Sequence, residues 1–519
     1  FIALQIQSNH IQMSYYFMFV ILFFVGAYFE DAYRKKELPH FFKASGVLAL
    51  AAVVGVCINI SNLYHTYEYS KETMRGKSEL KQEGAAASQT SSGLDRDYIT
   101  NWSYGIGETL TLLVPNVKGG GSGSTMSQSE VAMAKANPMY SGIYSQFPRQ
   151  YFGEQPWTAG PVYVGAFVMF LFVLGCFIVK GPLKWALLGA TIFSILLSWG
   201  KNFMGLTDFF IDYVPMYNKF RAVSSILVIA EFTIPLLAIF ALKEILNKPD
   251  TLKLKENRGG VIATLVLTAG VALILAVAPG VSSSSFVTAQ EIATLEQVLP
   301  AESRAQHLAP IVANLTEMRK AIVASDAWRS FFIIVIGCLF LFLYQQRKLK
   351  ASFTLAGIAL LCLVDMWSVN KRYLNDEQFV PKSKQTEAFV KTQADEMILQ
   401  DTTLNYRVLN FIGFPGNTFN ENNTAYWHKS VGGYHAAKLR RYQEMIDHHI
   451  MPEMQETYQA VATAGGQMDS VDASKFRVLN MLNTKYFIFP AGEQGQAVPV
   501  MNPYAYGNAW FVDKVQYVN

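Results

Sequence analysis

The sequence predicts a polytopic α-helical membrane protein that ends in a mixed α/β domain. Three observations predict this fold: eight long apolar runs, Lys- and Arg-rich loops that alternate with other loops, and a long polar region after residue 369. A helix needs about 20 mostly apolar residues to cross roughly 30 Å of hydrocarbon. We therefore expect about eight transmembrane helices, at residues 13–29, 41–64, 160–179, 183–199, 222–246, 261–281, 328–344 and 353–369.

The basic residues predict how these helices are oriented. Lys and Arg cluster in four short loops, at residues 34–36, 180–184, 243–258 and 347–350. Short loops that are rich in Lys and Arg remain in the cytoplasm. One orientation satisfies all four loops, and it places the long polar segments on the extracytoplasmic side. These segments are loops 65–159, 200–221 and 282–327, and the domain 370–519.

Composition excludes several classes of function. The net charge of +4 is too small to indicate a nucleic-acid partner, because the basic residues serve as topology markers. All four cysteines fall inside predicted spans, so the outward loops are expected to have no disulfides and no cysteine metal sites.

The two ends of the chain predict a fragment. The sequence begins at Phe1 without an initiator Met or a basic segment before an apolar core, which is unlike a signal peptide. It reads as a loop that leads into a span. The segment 509–519 stops within a strand-like pattern. We therefore expect further residues before and after this chain.

The outward segments have their own predicted elements. Loop 65–159 opens with a helical piece at 67–83 and a small-residue linker at 84–93. Loop 282–327 has the periodicity of a small helical hairpin. The C-terminal domain is expected to contain a helix over 438–463, interrupted at Pro452, and three strands. The strand-like segments are 406–411, 485–489 and 510–512.

Several phrases in these segments resemble YfhO-type bacterial membrane proteins. In the first half of the chain they are Asn9-His-Ile-Gln-Met-Ser-Tyr-Tyr16, Gly93-Leu-Asp-Arg-Asp-Tyr98, Trp102-Ser-Tyr104 with Glu108, Pro115 with Gly119-Gly120, Tyr151-Phe-Gly-Glu-Gln-Pro-Trp157 and Pro215-Met-Tyr-Asn-Lys-Phe-Arg221. In the C-terminal region they are the segments 428–442 and 476–486. The resemblance spans nearly the whole chain, and the combination is more specific than any single phrase.

This family is similar to GT-C glycosyltransferases, so the resemblance implies a GT-C-like fold and a polyprenyl-phosphate-linked sugar as donor. It implies transfer of the sugar to a cell-envelope glycan or polymer, outside the bacterial cytoplasmic (inner) membrane. Family members usually carry further N-terminal helices and an acidic outward loop that often holds the catalytic carboxylate. That part is absent from this sequence. The alternatives are a lipid or glycan flippase or transporter, and a non-catalytic scaffold for envelope assembly.

Asp95 and Asp97 are the first candidate site residues. Transfer from a lipid phosphate needs a carboxylate that activates the acceptor hydroxyl, for which Asp97 is a candidate. In an extended segment, residues i and i+2 point the same way, so both carboxylates could hold one divalent cation such as Mg²⁺ or Mn²⁺. The competing interpretation is solvated charge, interrupted by Arg96. Metal use varies among GT-C enzymes, so the sequence leaves the cofactor open.

Glu108 is the second catalytic candidate, because it is an isolated carboxylate in a stretch without other charges. It is either a general base or a structural group that binds the backbone amides of its loop. Lys201, Arg221 and His10 are candidates for binding the donor phosphate. The competing roles are contacts with lipid headgroups for the two cations and a structural role for the histidine.

Glu231 lies inside the predicted span 222–246, where a charge is costly and usually faces the bundle interior or a wet cavity. It could lie below a donor cavity or act as the coupling group of a transporter. We favour a protonated side chain that is bonded to a neighbouring helix.

Overall fold

The structure is a computed structural model that describes residues 1–80, 93–491 and 496–516. It divides into two units, each with its own internal packing. The first unit contains residues 1–61 and 95–376, and the second contains residues 62–94 and 377–519. Residues 65–80, which the sequence predicts in an outward loop, therefore belong to the same unit as the C-terminal region, together with residues 62–64 of the predicted span 41–64. Most of the predicted linker 84–93 lies outside the described residues.

The α-helices are numbered in chain order. Those up to residue 370 are α1 (Ile2–Gln7), α2 (Ile11–Lys35), α3 (Leu38–Cys57), α4 (Ile60–Glu72), α5 (Arg96–Thr100), α6 (Glu130–Met133), α7 (Ser141–Gln146), α8 (Ala166–Ile178), α9 (Pro182–Ser198), α10 (Met204–Tyr213), α11 (Val228–Asn247), α12 (Arg258–Leu265), α13 (Val271–Val277), α14 (Ala289–Val298), α15 (Ala301–Gln345) and α16 (Ala351–Asn370). Those after residue 370 are α17 (Gln393–Ile398), α18 (Asn423–Trp427), α19 (Arg440–Met445), α20 (Met451–Thr463) and α21 (Arg477–Met481).

Six helical segments of the described chain are long and apolar enough to cross a membrane, so the chain is a polytopic helical membrane protein. They are Ile11–Lys35, Leu38–Cys57, Val223–Asn247, Lys255–Val277, Ala301–Gln345 and Ala351–Asn370. Each corresponds to one predicted span. The total of eight is not confirmed, because two predicted spans have a different structure.

The predicted span 160–179 is a helix of only 13 residues, α8. Gly165 has a φ of +99°, which is outside the right-handed helical region, so the helix begins at Ala166. The predicted span 183–199 forms α9, after which the chain bends by 109° into the segment Gly200–Tyr213. The bend is fixed by hydrogen bonds to the segment after α5: Tyr104 N donates to Ser198 O at 2.8 Å, and Lys201 N donates to Ser103 Oγ at 2.8 Å.

The predicted hairpin at 282–327 is only partly correct. Its first arm is α14, but its second arm continues without a break into the membrane span, which gives the 45-residue helix α15. Pro310 lies early in α15, and no proline follows it within the helix, so the backbone hydrogen bonds continue to Gln345.

The core of the first unit lies where α8 and α11 pack together, with α9, α13 and α15 around them. Small residues permit the close approach. A Cβ atom at Gly337 of α15 would lie 2.2 Å from the Phe167 ring of α8, and one at Gly175 would lie 3.1 Å from Leu237 of α11. The central helices are therefore closely packed.

The second unit contains a three-stranded sheet in the order β1 (Arg407–Asn410), β2 (Thr484–Ala491) and β3 (Gln496–Met501). β1 and β2 are parallel, and β2 and β3 are antiparallel. Two predicted strands are confirmed, and β3 was not predicted. The prediction of a strand at 510–512 is wrong, because this segment is irregular and Phe511 is fully exposed.

The helices of the second unit agree with the periodicity of the sequence. The predicted helix 438–463 is formed by α19, a π-helical turn and α20, with Pro452 in the first turn of α20. The predicted helix 67–83 is confirmed only up to Glu72, where α4 ends. Within this unit, Met74 N donates to Lys438 O at 3.0 Å, and Arg441 pairs with Glu79 at 2.5 Å.

Candidate functional site

Asp95 caps the short helix α5. Its Oδ1 accepts hydrogen bonds from Asp97 N at 2.9 Å and from Tyr98 N at 3.4 Å. A carboxylate at this position satisfies amides that have no partner within the helix. The expected extended segment is therefore wrong, and the argument that pointed both carboxylates in one direction does not apply. Asp97 is exposed, and its carboxylate forms no hydrogen bond or ion pair within the described chain.

Metal binding has no further support from this geometry. In the part of the chain that the structure describes, no three His, Cys, Asp or Glu side chains are grouped to hold an ion. The neighbouring Arg96 joins α5 to α10 instead, since its guanidinium pairs with Asp208 and, at 2.6 Å, with Asp212. Arg96 therefore positions the loop that carries Asp97.

Glu108 is 1% exposed and binds its own loop. Its carboxylate accepts hydrogen bonds from Gly105 N at 3.0 Å, from Glu154 N at 3.1 Å and from the Tyr151 hydroxyl. Burial raises the pKa of Glu108, and these hydrogen bonds act in the opposite direction. Both carboxylate oxygens are engaged, which favours the structural alternative over the general base.

Arg221 lies against two aromatic rings of segment 95–104, those of Tyr98 and Trp102. It donates to the Tyr98 hydroxyl at 2.7 Å, and its guanidinium lies 5.5 Å from the Tyr98 ring centroid and 5.8 Å from that of Trp102. Its carbonyl oxygen accepts from Gln12 Nε2 at 2.7 Å, two residues after His10. His10 itself is an exposed residue at the start of α2, and its side chain makes no capping hydrogen bond.

Lys201 contacts the same segment, 95–104, through its backbone. Its backbone amide is held by Ser103 Oγ, and the neighbouring Asn202 donates to Tyr104 O at 3.0 Å. The Lys201 side chain is exposed. Segment 95–104 thus carries Asp95 and Asp97 and contacts two other predicted residues, Arg221 through side chains and Lys201 through its backbone.

Glu231 differs from its predicted environment. It lies in the first turn of α11, eight residues after the start of the span Val223–Asn247, whose first five residues form a 3-10 helix. Its side chain is exposed, and the described contacts include no hydrogen bond or ion pair to it. The favoured bond to a neighbouring helix is therefore not found.

Sequence reasoning missed the buried ion pairs of the first unit. Arg319 is fully buried in α15 and binds Glu291 at 2.5 and 2.9 Å, together with the carbonyl oxygens of Phe286 and Arg149, each at 2.5 Å. The side chain joins α14 and the segment before Tyr151 to the membrane helix.

Two further buried carboxylates tie loops to helix ends. Asp326 of α15 accepts two bonds from Arg372, at 2.7 and 2.8 Å, and one from Asn116 N at 2.9 Å. Asp365 of α16 is 1% exposed and accepts from the Tyr163 hydroxyl at 2.8 Å. The available signal was the position of Asp and Arg residues near the ends of apolar runs.

Comparisons with protein-family models, with curated proteins and with solved structures found no match for this chain. The resemblance to YfhO-type proteins therefore remains a prediction from the quoted phrases.

Proposed function

We propose that this chain is part of a GT-C-like membrane glycosyltransferase that uses a polyprenyl-phosphate-linked sugar. The observation that carries the proposal is that segment 95–104 holds an exposed carboxylate, Asp97, and contacts both Arg221 and Lys201. The orientation that the basic loops predict would place this group on the extracytoplasmic face, together with the second unit.

The proposed step exchanges one bond at the sugar carbon. The bond from C1 to the phosphate oxygen breaks, and its electron pair stays on the phosphate. The acceptor hydroxyl of an envelope glycan or polymer forms the new bond to C1 and gives its proton to Asp97. Asp97 is a better candidate for this proton than Glu108, because both oxygens of Glu108 already accept hydrogen bonds.

The cations would stabilise the leaving phosphate. A guanidinium can bind two phosphate oxygens, and charge stabilisation of this kind is strongest in the transition state. Arg221 is positioned by Tyr98, whereas Lys201 offers an exposed ammonium. His10, two residues before the Gln12 contact to Arg221, is proposed as a further hydrogen-bonding group for the donor. Asp95 caps α5 and so positions Asp97. A divalent cation, Mg²⁺ or Mn²⁺, would be a further component of the proposed site.

The test is in-vitro transfer from a radiolabelled polyprenyl-phosphate sugar, with the longest form of the protein that contains this chain. Asp97→Asn and Arg221→Gln are expected to lower turnover by at least 100-fold, about the contribution of one acid–base or oxyanion group. The matched controls are Glu130→Gln, an exposed carboxylate in the same unit, and Arg258→Gln in a basic loop. Unchanged turnover in both site variants would refute the site.

The transporter alternative lacks a specific supporting observation. The side chain of its coupling group, Glu231, is exposed on α11, and the described residues show no hydrogen bond or ion pair to it. If the site variants retain full transfer activity while Glu231→Gln abolishes movement of a lipid-linked sugar across vesicles, the transporter would replace the transferase.

A further inference from the structure

A large apolar cleft lies between α2 and α3, away from the segment 95–104. Its volume is about 740 Å³, within the range of about 300–1,000 Å³ that is usual for ligand pockets. On α2 the lining runs from Phe17 to Ala32, and on α3 it runs from His40 to Leu48. Phe232 of α11 contributes to the lining as well.

The chemistry of the lining changes along the cleft. From Phe17 to Tyr28 the side chains on α2 are aromatic or aliphatic. Asp31, Glu37 and His40 lie at the end where α2 turns into α3. The lining residues of α2 span about 22 Å along the axis at 1.5 Å per residue. The cleft therefore has one long apolar part and one polar end.

We propose that this cleft binds one membrane phospholipid, with an acyl chain along α2 and the headgroup at the α2–α3 turn. Both walls are helices of membrane-spanning length, so the medium next to the cleft is lipid hydrocarbon. The order of apolar and polar groups along the cleft is that of a phospholipid. Lipid binding in this cleft is independent of the proposed glycosyltransferase activity.

The charges at the polar end indicate a zwitterionic headgroup such as ethanolamine phosphate. Lys35 is paired with Asp31 at 2.7 Å, and Arg34 is paired with Glu30 at 2.6 Å. Within the described residues, the exposed Lys36 ammonium has no hydrogen bond or ion pair. The lining residue His40, and Lys36 next to the lining residue Glu37, would contact the phosphate, while Glu37 would accept from the ammonium.

This lipid would be distinct from the proposed sugar donor. The polar end of the cleft is at the C-terminal end of α2, whereas Gln12, which binds the Arg221 carbonyl, is in the first turn of α2. The two headgroups would therefore lie at opposite ends of one membrane-spanning helix.

The experiment is native mass spectrometry of the detergent-purified full chain, with phospholipid adducts counted per protein. Ala44→Trp fills the cleft, and Leu50→Trp adds the same ring to an exposed position of α3 outside it. The wild type and Leu50→Trp are expected to retain one phospholipid, and Ala44→Trp is expected to retain at least fivefold less. Equal retention in the two variants, or none in the wild type, would overturn the proposal.

A second variant keeps the walls intact in case Ala44→Trp does not fold. The double variant Lys36→Ala with His40→Ala is expected to halve retention or more, with ethanolamine lipids affected most. Unchanged retention would refute the headgroup assignment. A disulfide between two copies through Val25→Cys, formed at high yield in membranes, would show that a second copy fills the cleft instead.

Discussion

The central segment Val223–Asn247 and the α2–α3 pair are both of membrane length, yet they are packed very differently. In the most apolar window of Val223–Asn247, 56% of the residues are buried, compared with 6% for Leu38–Cys57. The central helix α15 also carries Arg319 and Asp326, two buried charges that are each held in an ion pair. Apolar length alone therefore identifies a span, whereas burial distinguishes the spans that are surrounded by protein from those that face lipid.

Loss of a buried ion pair should have the largest effect on stability. Arg319→Met leaves the Glu291 carboxylate and two carbonyl oxygens without their donor, and breaking a buried pair of this kind costs about 3–5 kcal/mol. The free energy of unfolding in mixed micelles measures this. Lys320→Met, which removes a surface pair with Glu317, should cost less than about 1 kcal/mol. Similar losses for both variants would contradict the conclusion that burial makes the Arg319 pair the stronger of the two.

The two regions should also respond differently to a single added methyl group. Gly337→Ala introduces a Cβ atom 2.2 Å from the Phe167 ring, so we expect a loss of about 1–3 kcal/mol from overpacking. The matched control is Gly26→Ala in α2, where nothing lies within 4 Å of the new atom. Gly26→Ala should leave the free energy of unfolding unchanged or raise it slightly. Destabilisation by Gly26→Ala that equals that of Gly337→Ala would contradict the comparison.

The smallest expected effect is a change in pH dependence at Glu108. Its pKa is raised in the folded protein, because burial disfavours the charged form. The folded state therefore binds more protons than the unfolded state between the two pKa values, so this group's stabilisation is lost as the pH rises above 4.5. In Glu108→Gln, the melting temperature should fall less steeply with pH over this interval. Glu130→Gln should keep the wild-type slope, and a wild-type slope in Glu108→Gln would contradict this explanation.

Apolar length predicted the span α11 and five others, because the hydrophobic requirement of the bilayer is local in sequence. It failed at α8, where the positive φ of Gly165 delays the start of the helix to Ala166, and at the bend after α9, which depends on contacts with Ser103. These failures have a common cause. The missing information was tertiary contact, which a single sequence does not display.

The candidate site likewise has one feature that the sequence could predict and others that only the fold reveals. The capping role of Asp95 was predictable from the sequence, since an Asp before a short helix is a common N-cap. The alternation of Asp95, Arg96 and Asp97 instead suggested an extended segment. The contact between Arg221 and Tyr98 joins residues 123 positions apart, and only the fold reveals it. Arg319 looks like an ordinary helical surface charge in the sequence, although it is fully buried.

The orientation of the chain is the central claim, because donor binding at segment 95–104 requires that this segment face away from the cytoplasm. The direct measurement is labelling of single-cysteine variants at Asp97 and at Lys348 with a membrane-impermeant thiol reagent in intact cells. We predict labelling of Asp97→Cys in intact cells and labelling of Lys348→Cys only after the membrane is permeabilised. The reverse pattern would contradict the account.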